Sequence, residues 1–199
     1  MAKTDNGLEH LLKSSGARPF IPKNNKFKPE LFDQKFSQAL IKTLQLKGIN
    51  FKLLTADSKV IHAPQISELP EKIQIKPFKN SHINLGLIAF SEDFLSELIH
   101  KMMGGSDKVD PGPLPSNISP LQQKVINSFD PALANCLREG IKIFLGLDII
   151  KVQPELDQLK TQEILEGSND YFVAHYTFQG LTKCSLIILL KTEVFAPSA

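Results

Sequence analysis

Apolar residues recur along the chain at spacings that fix its local structure. Over residues 30–47, Leu31, Phe32, Phe36, Ala39, Leu40, Leu44 and Leu46, joined by Thr43, follow a helical period, and Gly48 is placed to end the helix. Residues 50–54 alternate and predict a short strand, followed by a proline-bearing connection over 63–70. The segments 72–76 (KIQIK) and 83–90 (INLGLIAF) predict two strands paired with each other. Ser91 then supplies an N-cap, with Glu92 and Asp93 in the first turn, where carboxylates meet the positive end of the helix dipole. Phe94, Leu95, Leu98, Ile99, Met102 and Met103 form the face of that helix expected to be buried, and Gly104 and Gly105 stop it.

Residues 106–118 (SDKVDPGPLPSNI) are polar and proline-rich and predict a loop. Next come the strongest local signals in the chain. Ser119 can cap, Pro120 suits the first helical position, and Gln122 completes a capping box with Ser119. Leu121, Val125, Phe129, Leu133, Cys136, Leu137 and Phe144 carry the apolar stripe to about Leu145, with a kink expected near Asp130 because Pro131 lies inside the pattern. The remainder reads as strands over 147–153, 171–178 and 182–190, with Gln179 and Gly180 as a tight connection. Successive strands joined by short connections favour antiparallel pairing with helices packed on the sheet, so the predicted fold is α+β over residues 30–195.

Residues 1–29 differ in character. They carry six basic residues (Lys3, Lys13, Arg18, Lys23, Lys26, Lys28) against two acidic ones (Asp5, Glu9), with three prolines and two glycines, and are expected to be largely disordered. Within them Leu8, Leu11 and Leu12 stand at helical spacing, enough for about two turns over 6–13, too short to persist alone. Such a segment either forms its helix against a partner or docks its leucines on the protein's own surface.

Composition removes several classes. The chain has 199 residues, 42% hydrophobic and 22% charged, with a formal net charge of +2, which suits one buried core plus appendages. That balance is not the footprint of a nucleic-acid binder. No apolar run approaches the roughly 18–20 residues of a membrane span, and the N-terminus lacks the apolar stretch of a secretory signal. The two cysteines, Cys136 and Cys184, sit in apolar patterns and read as buried thiols of a cytoplasmic protein. The five histidines are scattered; His100 and Cys136 together would supply two metal ligands at most. There is no nucleophile elbow and no phosphate-binding glycine loop, since Gly104 and Gly105 follow a helix rather than a strand. No enzyme chemistry, metal or cofactor is expected.

Residues 83–124 (INLGLIAFSEDFLSELIHKMMGGSDKVDPGPLPSNISPLQQK) resemble the middle domain of the flagellar motor switch protein FliM, which shows a strand, a helix ending in a double glycine, a polar loop and a newly announced helix. The resemblance continues through VQPELDQ (152–158) to the apolar final strand CSLIILL (184–190), covering roughly residues 30–195. GLEHLLKSSG (7–16) is similar to the short N-terminal helix of that family, with Gly7 where the family has Glu. The resemblance implies a CheC-like fold, with an antiparallel sheet and long helices in a pseudo-symmetric arrangement, preceded by a mobile tail.

It also implies a non-enzymatic adaptor of the cytoplasmic rotor ring at the flagellar basal body, peripheral to the inner membrane, controlling rotation direction in chemotaxis. The implied partners are phosphorylated CheY, through Leu8, Glu9, Leu11 and Leu12; FliG, through Met103, Gly104, Gly105, Ser106 and Asp107; and neighbouring copies in a ring. Glycines there would let another backbone approach, with Met102 and Met103 as adaptable apolar contacts, whereas the plainer reading is a helix C-cap with core methionines. Asp107 stands where the family has Gly, restricting the backbone and adding charge. Two related roles remain as alternatives: a ring component of a type III secretion system, and a CheC-like phosphatase acting on phosphorylated CheY. The phosphatase pattern, Glu and Asn three apart on a helix, is not met by DPALANCL (130–137), and Glu166 to Asn169 encloses Gly167 and Ser168. FliM proteins continue into a further SpoA or FliN-like domain; this sequence ends at Ala199, with residues 196–199 linker-like, so a switch protein without that module is expected.

Overall fold

A computed structural model describes residues 27–62, 73–81, 83–115, 117–145, 150–155, 158–166 and 170–195. In chain order the elements are α1 (Pro29–Leu46), β1 (Lys52–His62), β2 (Ile73–Lys79), β3 (Asn84–Ser91), α2 (Glu92–Met102), α3 (Pro120–Leu145), β4 (Lys151–Val152), α4 (Gln158–Glu166), β5 (Asp170–Gln179) and β6 (Lys183–Lys191), closed by a 3₁₀ turn, Thr192–Phe195. The strands form one sheet in the order β1-β5-β6-β3-β2-β4, and every adjacent pair is antiparallel.

That order carries an internal pseudo-two-fold. The segment α1-β1-β2-β3-α2 repeats as α3-β4-β5-β6-3₁₀ turn, with α4 inserted between β4 and β5, and the axis passes between the two central strands, β3 and β6. Each half lends its first strand to the other half's edge: Leu53 of β1 lies opposite Phe178 of β5, and Val152 of β4 opposite Phe78 of β2. The expected pseudo-symmetric α+β arrangement is therefore present.

Alternation along the strands sends Phe78, Ile88, Phe90, Phe172, Tyr176, Phe178, Leu186 and Ile188 to one face, where α1, α2 and α3 cover them. Gly140 lets α3 come close to α1, because a Cβ there would sit 2.8 Å from the Phe32 ring and 3.2 Å from Phe36 Cβ. The opposite face gathers Ile61, Leu87, Val173, Ile187 and Leu189 with Leu165 of α4, and the Tyr171 hydroxyl donates to Ile164 O (2.7 Å). Packing begins at Phe27, inside the segment read as polar tail: its ring stacks on Phe195 (centroids 3.9 Å apart) and meets Phe144 and Phe172 edge-on at 4.9 and 5.0 Å. Burying one such ring contributes about 1.5–3 kcal/mol.

The capping expectations hold. Ser91 Oγ accepts from Phe94 N (3.2 Å), and Ser119 and Gln122 close their box from both sides, with Ser119 N donating to Gln122 Oε1 (2.9 Å) and Gln122 N to Ser119 Oγ (3.3 Å). Helix α3 continues through Pro131. Both thiols are buried, and burial pushes each one up from its ordinary value.

Several expectations are corrected. The strand read over 50–54 is eleven residues long, because β1 borders the sheet and its outward positions are polar. The strand read over 147–153 is reduced to Lys151 and Val152 among the described residues, and residues 158–166, where no element is expected from the sequence, form a helix. Leu46 (80% exposed), Met103 and Leu121 lie in apolar periodicities yet face outward, since each stands at a helix end beyond the reach of the core. The tail, its helix at 6–13 and residues 196–199 lie outside the described residues.

Candidate functional site

The double-glycine corner grows out of how α2 ends. Met103 N bonds Ile99 O (2.9 Å), Gly104 N bonds Lys101 O (3.0 Å) and Gly105 N bonds His100 O (2.7 Å), so the carbonyls of the last turn are satisfied by the corner itself. Gly104 has φ +86°, a left-handed conformation that a side chain would strain. At Gly105 a Cβ would meet the His100 imidazole, which lies across the backbone with a 2.9 Å hydrogen bond between Nε2 and Ser106 O, so a side chain there would displace that ring.

Met103 follows outward, with 53% of its surface exposed. It is not one of the core methionines that helical periodicity suggests; Met102 is the half-buried one, packed against the main core. Asp107 folds back onto α2 and forms an ion pair with Lys101. Its charge is thereby matched locally, and an exposed pair of this kind contributes at most about 1 kcal/mol.

Beyond the corner the loop over 106–119 returns across α2. Ser96 Oγ donates to Gly112 O (2.5 Å), Gly112 N donates to Asp110 Oδ1 (2.8 Å), and Leu114 and Ile118 pack on the main core. Loop and helix, with Gln122 of α3, border an open cavity of about 320 Å³, lined by Ser96, His100 and Met103 on the α2 side and by the prolines at 111, 113 and 115 on the loop side. Val109 in the loop (56%) and Leu121 at the start of α3 (59%) are exposed apolar side chains as well. The structure therefore brings Met103, Gly104, Gly105, Ser106 and Asp107 together as one corner and adds the proline wall, which the sequence shows only as a turn-rich stretch. Proline rings and an unbranched thioether stand beside the polar side chains of Ser96, His100 and Gln122, so the surface offers both apolar contact and hydrogen-bonding groups.

No three His, Cys, Asp or Glu side chains among the described residues are placed to hold a metal ion. His100 is engaged with Ser106, while Cys136 sits beside Thr43 Oγ1 (3.4 Å) between α1 and α3. On α3, Ala134 is buried and Asn135 exposed, and no described helix carries Glu three residues before Asn. Glu166 closes α4, and Asn169 lies outside the described residues. Leu8, Glu9, Leu11 and Leu12 also lie outside them. No helix among the described residues is long and apolar enough to cross a membrane.

No protein-family model matches the sequence, and no curated protein matches it either. Solved structures do. The chain is similar to the FliM middle domain from Vibrio alginolyticus (TM-score 0.61, 9% identity, covering 83% of this chain and 94% of that one). It is similar to the FliG–FliM complex structure from H. pylori (TM-score 0.62, 11% identity, 84% and 93% covered) and to FliY from Thermotoga maritima (TM-score 0.59, 14% identity, 85% and 93% covered). At such identities the likeness is one of fold, and the fold is that of the FliM middle domain.

Proposed function

We propose that the chain is a non-enzymatic, FliM-like component of the flagellar motor switch, located at the cytoplasmic side of the basal body. The observation that supports this best is the exposed corner at Met103, Gly104 and Gly105, standing on a fold shared over most of the chain with FliM middle domains, one of them solved in complex with FliG. In this reading FliG docks against the corner. The glycines keep the backbone free of side chains on the approach, Met103 adapts to the facing apolar surface, and the proline wall receives what Met103 does not cover.

The tail performs the second task. Leu8, Leu11 and Leu12, with Glu9, form their helix in a groove of the phosphorylated response regulator CheY, and the linker up to Phe27 keeps the captured regulator near the ring. Tethering raises its local concentration to roughly the millimolar range for a short flexible linker, so a weak first contact is sufficient to deliver it to neighbouring copies of the domain. Rotation direction then follows from regulator occupancy. The same adaptor logic would serve a secretion ring, but the regulator-like tail favours the flagellar switch.

The test is binding of the full chain to the cognate response regulator with and without a phosphate mimic. Phosphorylation-dependent binding that is lost when Leu11→Ala is combined with Leu12→Ala supports the reading. Binding indifferent to phosphorylation, or to that double change, contradicts it. Release of phosphate from the phosphorylated regulator above its intrinsic rate would place the chain among phosphatases instead.

A further inference from the structure

The two borders of the sheet are unlike. At one end β4 contributes only Lys151 and Val152, and β2 beside it carries Pro77, which has no N–H to offer a neighbour. At the other end β1 runs for eleven residues, pairs with β5 on one side and has no described strand on the other. Leu54, Thr55, Ala56 and Asp57 are exposed along it. A long open edge of this kind is a template for another strand unless something blocks it. The bulge between Leu53 and Thr55 shortens the template, and the charges of Asp57 and Lys59 restrict what may pair with the rest.

We propose that two copies of this chain join edge to edge through β1, antiparallel, about a two-fold axis at Ser58. Among the registers centred on residues 57, 58 and 59, the charge pattern favours that one. Asp57 lies opposite His175 and Lys59 opposite Val173, so both project from the same face of the sheet, while Ser58 projects from the other, where its Oγ donates to Asp33 of α1 (2.8 Å). A two-fold antiparallel join keeps the helix-covered faces on the same side, and so always sets one residue opposite its own copy. Centring on Asp57 opposes two aspartates; centring on Lys59 opposes two lysines. Centring on Ser58 instead sets Asp57 against Lys59 twice, with Ala56 against Val60 and Thr55 against Ile61. Cross-strand pairs of opposite charge are favourable and like pairs unfavourable, so the two charges that forbid the neighbouring registers stabilise this one.

The sheet would then run unbroken through both copies. Because Asp33 reaches Ser58, α1 lies above β1 and meets its symmetry mate across the axis, adding helix contact to the strand pairing. An isologous contact of this kind closes at two copies, unlike the head-to-tail contacts of a ring, so it is independent of the adaptor reading above and uses a different surface from the glycine corner.

Sedimentation equilibrium of the full chain at low salt tests the proposal. The wild type is expected to show a concentration-dependent dimer that weakens as salt is raised. Asp57→Lys and Lys59→Asp should each weaken it by at least about tenfold, and the combined charge swap should restore it, because the swap recreates both pairs in the same register. In a parallel arm, Ser58→Cys should cross-link to its own copy on oxidation, since directly opposite residues lie within disulfide reach. Ala56→Cys should not, its copies standing four residues apart along the strands, about 13 Å. A chain that stays monomeric, a dimer indifferent to the single reversals, a double swap that remains monomeric, or cross-linking at Ala56→Cys rather than Ser58→Cys would each overturn it.

Discussion

The ammonium of Lys76, a side chain with no exposed surface, lies 2.7 Å from Oδ1 of Asp130. Its second carboxylate contact is 2.9 Å and Asn127 Oδ1 accepts at 3.0 Å, so all three of its protons are directed at acceptors on α3. The pseudo-two-fold places Asp33 of α1 in the matching role, its Oδ1 accepting from the Tyr176 hydroxyl of β5 at 2.7 Å. Each long helix is thus fastened to the sheet through one of its aspartates, held by a lysine ammonium in one half and by a tyrosine hydroxyl in the other.

Asp130→Ala removes the only carboxylate paired with Lys76 among the described residues and strands a buried ammonium. The expected loss is about 3–5 kcal/mol, read as a lower urea midpoint. Lys76→Met combined with Asp130→Leu should recover most of it, because two apolar side chains leave no buried charge to solvate. Tyr176→Phe should cost less, about 0.5–1.5 kcal/mol, since Asp33 keeps its bond from Ser58.

Burial raises the carboxyls of both Asp33 and Asp130, outweighing the hydrogen bonds from Tyr176 and Ser58 at one and from Lys76 at the other. A raised carboxyl binds its proton more tightly folded than unfolded. Between the ordinary aspartate value of about 3.9 and the raised values, these two groups therefore contribute stability that is present at low pH and is lost as pH rises. Urea unfolding across that window should show the decline, and Asp33→Asn should flatten its own share of it.

Glu97 is buried at the far end of the same core, where its carboxylate accepts from Leu181 N (2.8 Å) and Thr182 N (3.3 Å) in the β5–β6 turn. Glu97→Ala leaves those donors without a partner, and should cost about 1–3 kcal/mol. Hydrogen exchange should locate the effect, with the amides of Leu181 and Thr182 losing protection while those of β3 keep theirs.

Gly86 packs so closely on Leu189 that a methyl group would run into its carbonyl oxygen. Both atoms belong to backbone at the sheet centre, where neither can swing aside. Gly86→Ala should lower the thermal midpoint, with a cost of at least about 1–3 kcal/mol, while a substitution at exposed Leu46 should leave it unchanged.

Local chemistry made α2 and α3 legible in advance, because Ser91, Ser119, Pro120, Gln122 and the double glycine act within a few residues of themselves. Apolar runs likewise marked β3, β5 and β6, whose residues are buried on both faces. What the sequence concealed depends on distant partners. TADSK in β1 carries no strand signal of its own until β5 is placed beside it, and QLKTQEILE shows too weak a stripe to reveal α4. The Tyr176–Asp33 contact spans 143 positions and the Lys76–Asp130 contact spans 54, separations that no local pattern encodes. At the site, the glycines were visible as a corner, but the outward turn of Met103 and the tying of Asp107 to Lys101 follow from where α2 ends relative to the core.

The central claim is that the corner after α2 is a protein-docking surface for FliG. Calorimetric titration of the FliG protein from the same organism into the full chain tests it, comparing wild type with Met103→Glu, a change at an exposed side chain that leaves the core untouched. Saturable binding that Met103→Glu weakens by at least about tenfold, the loss of a central apolar contact, is the expected result. Absence of binding by a folded wild-type chain, or binding of equal strength in both proteins, would contradict it.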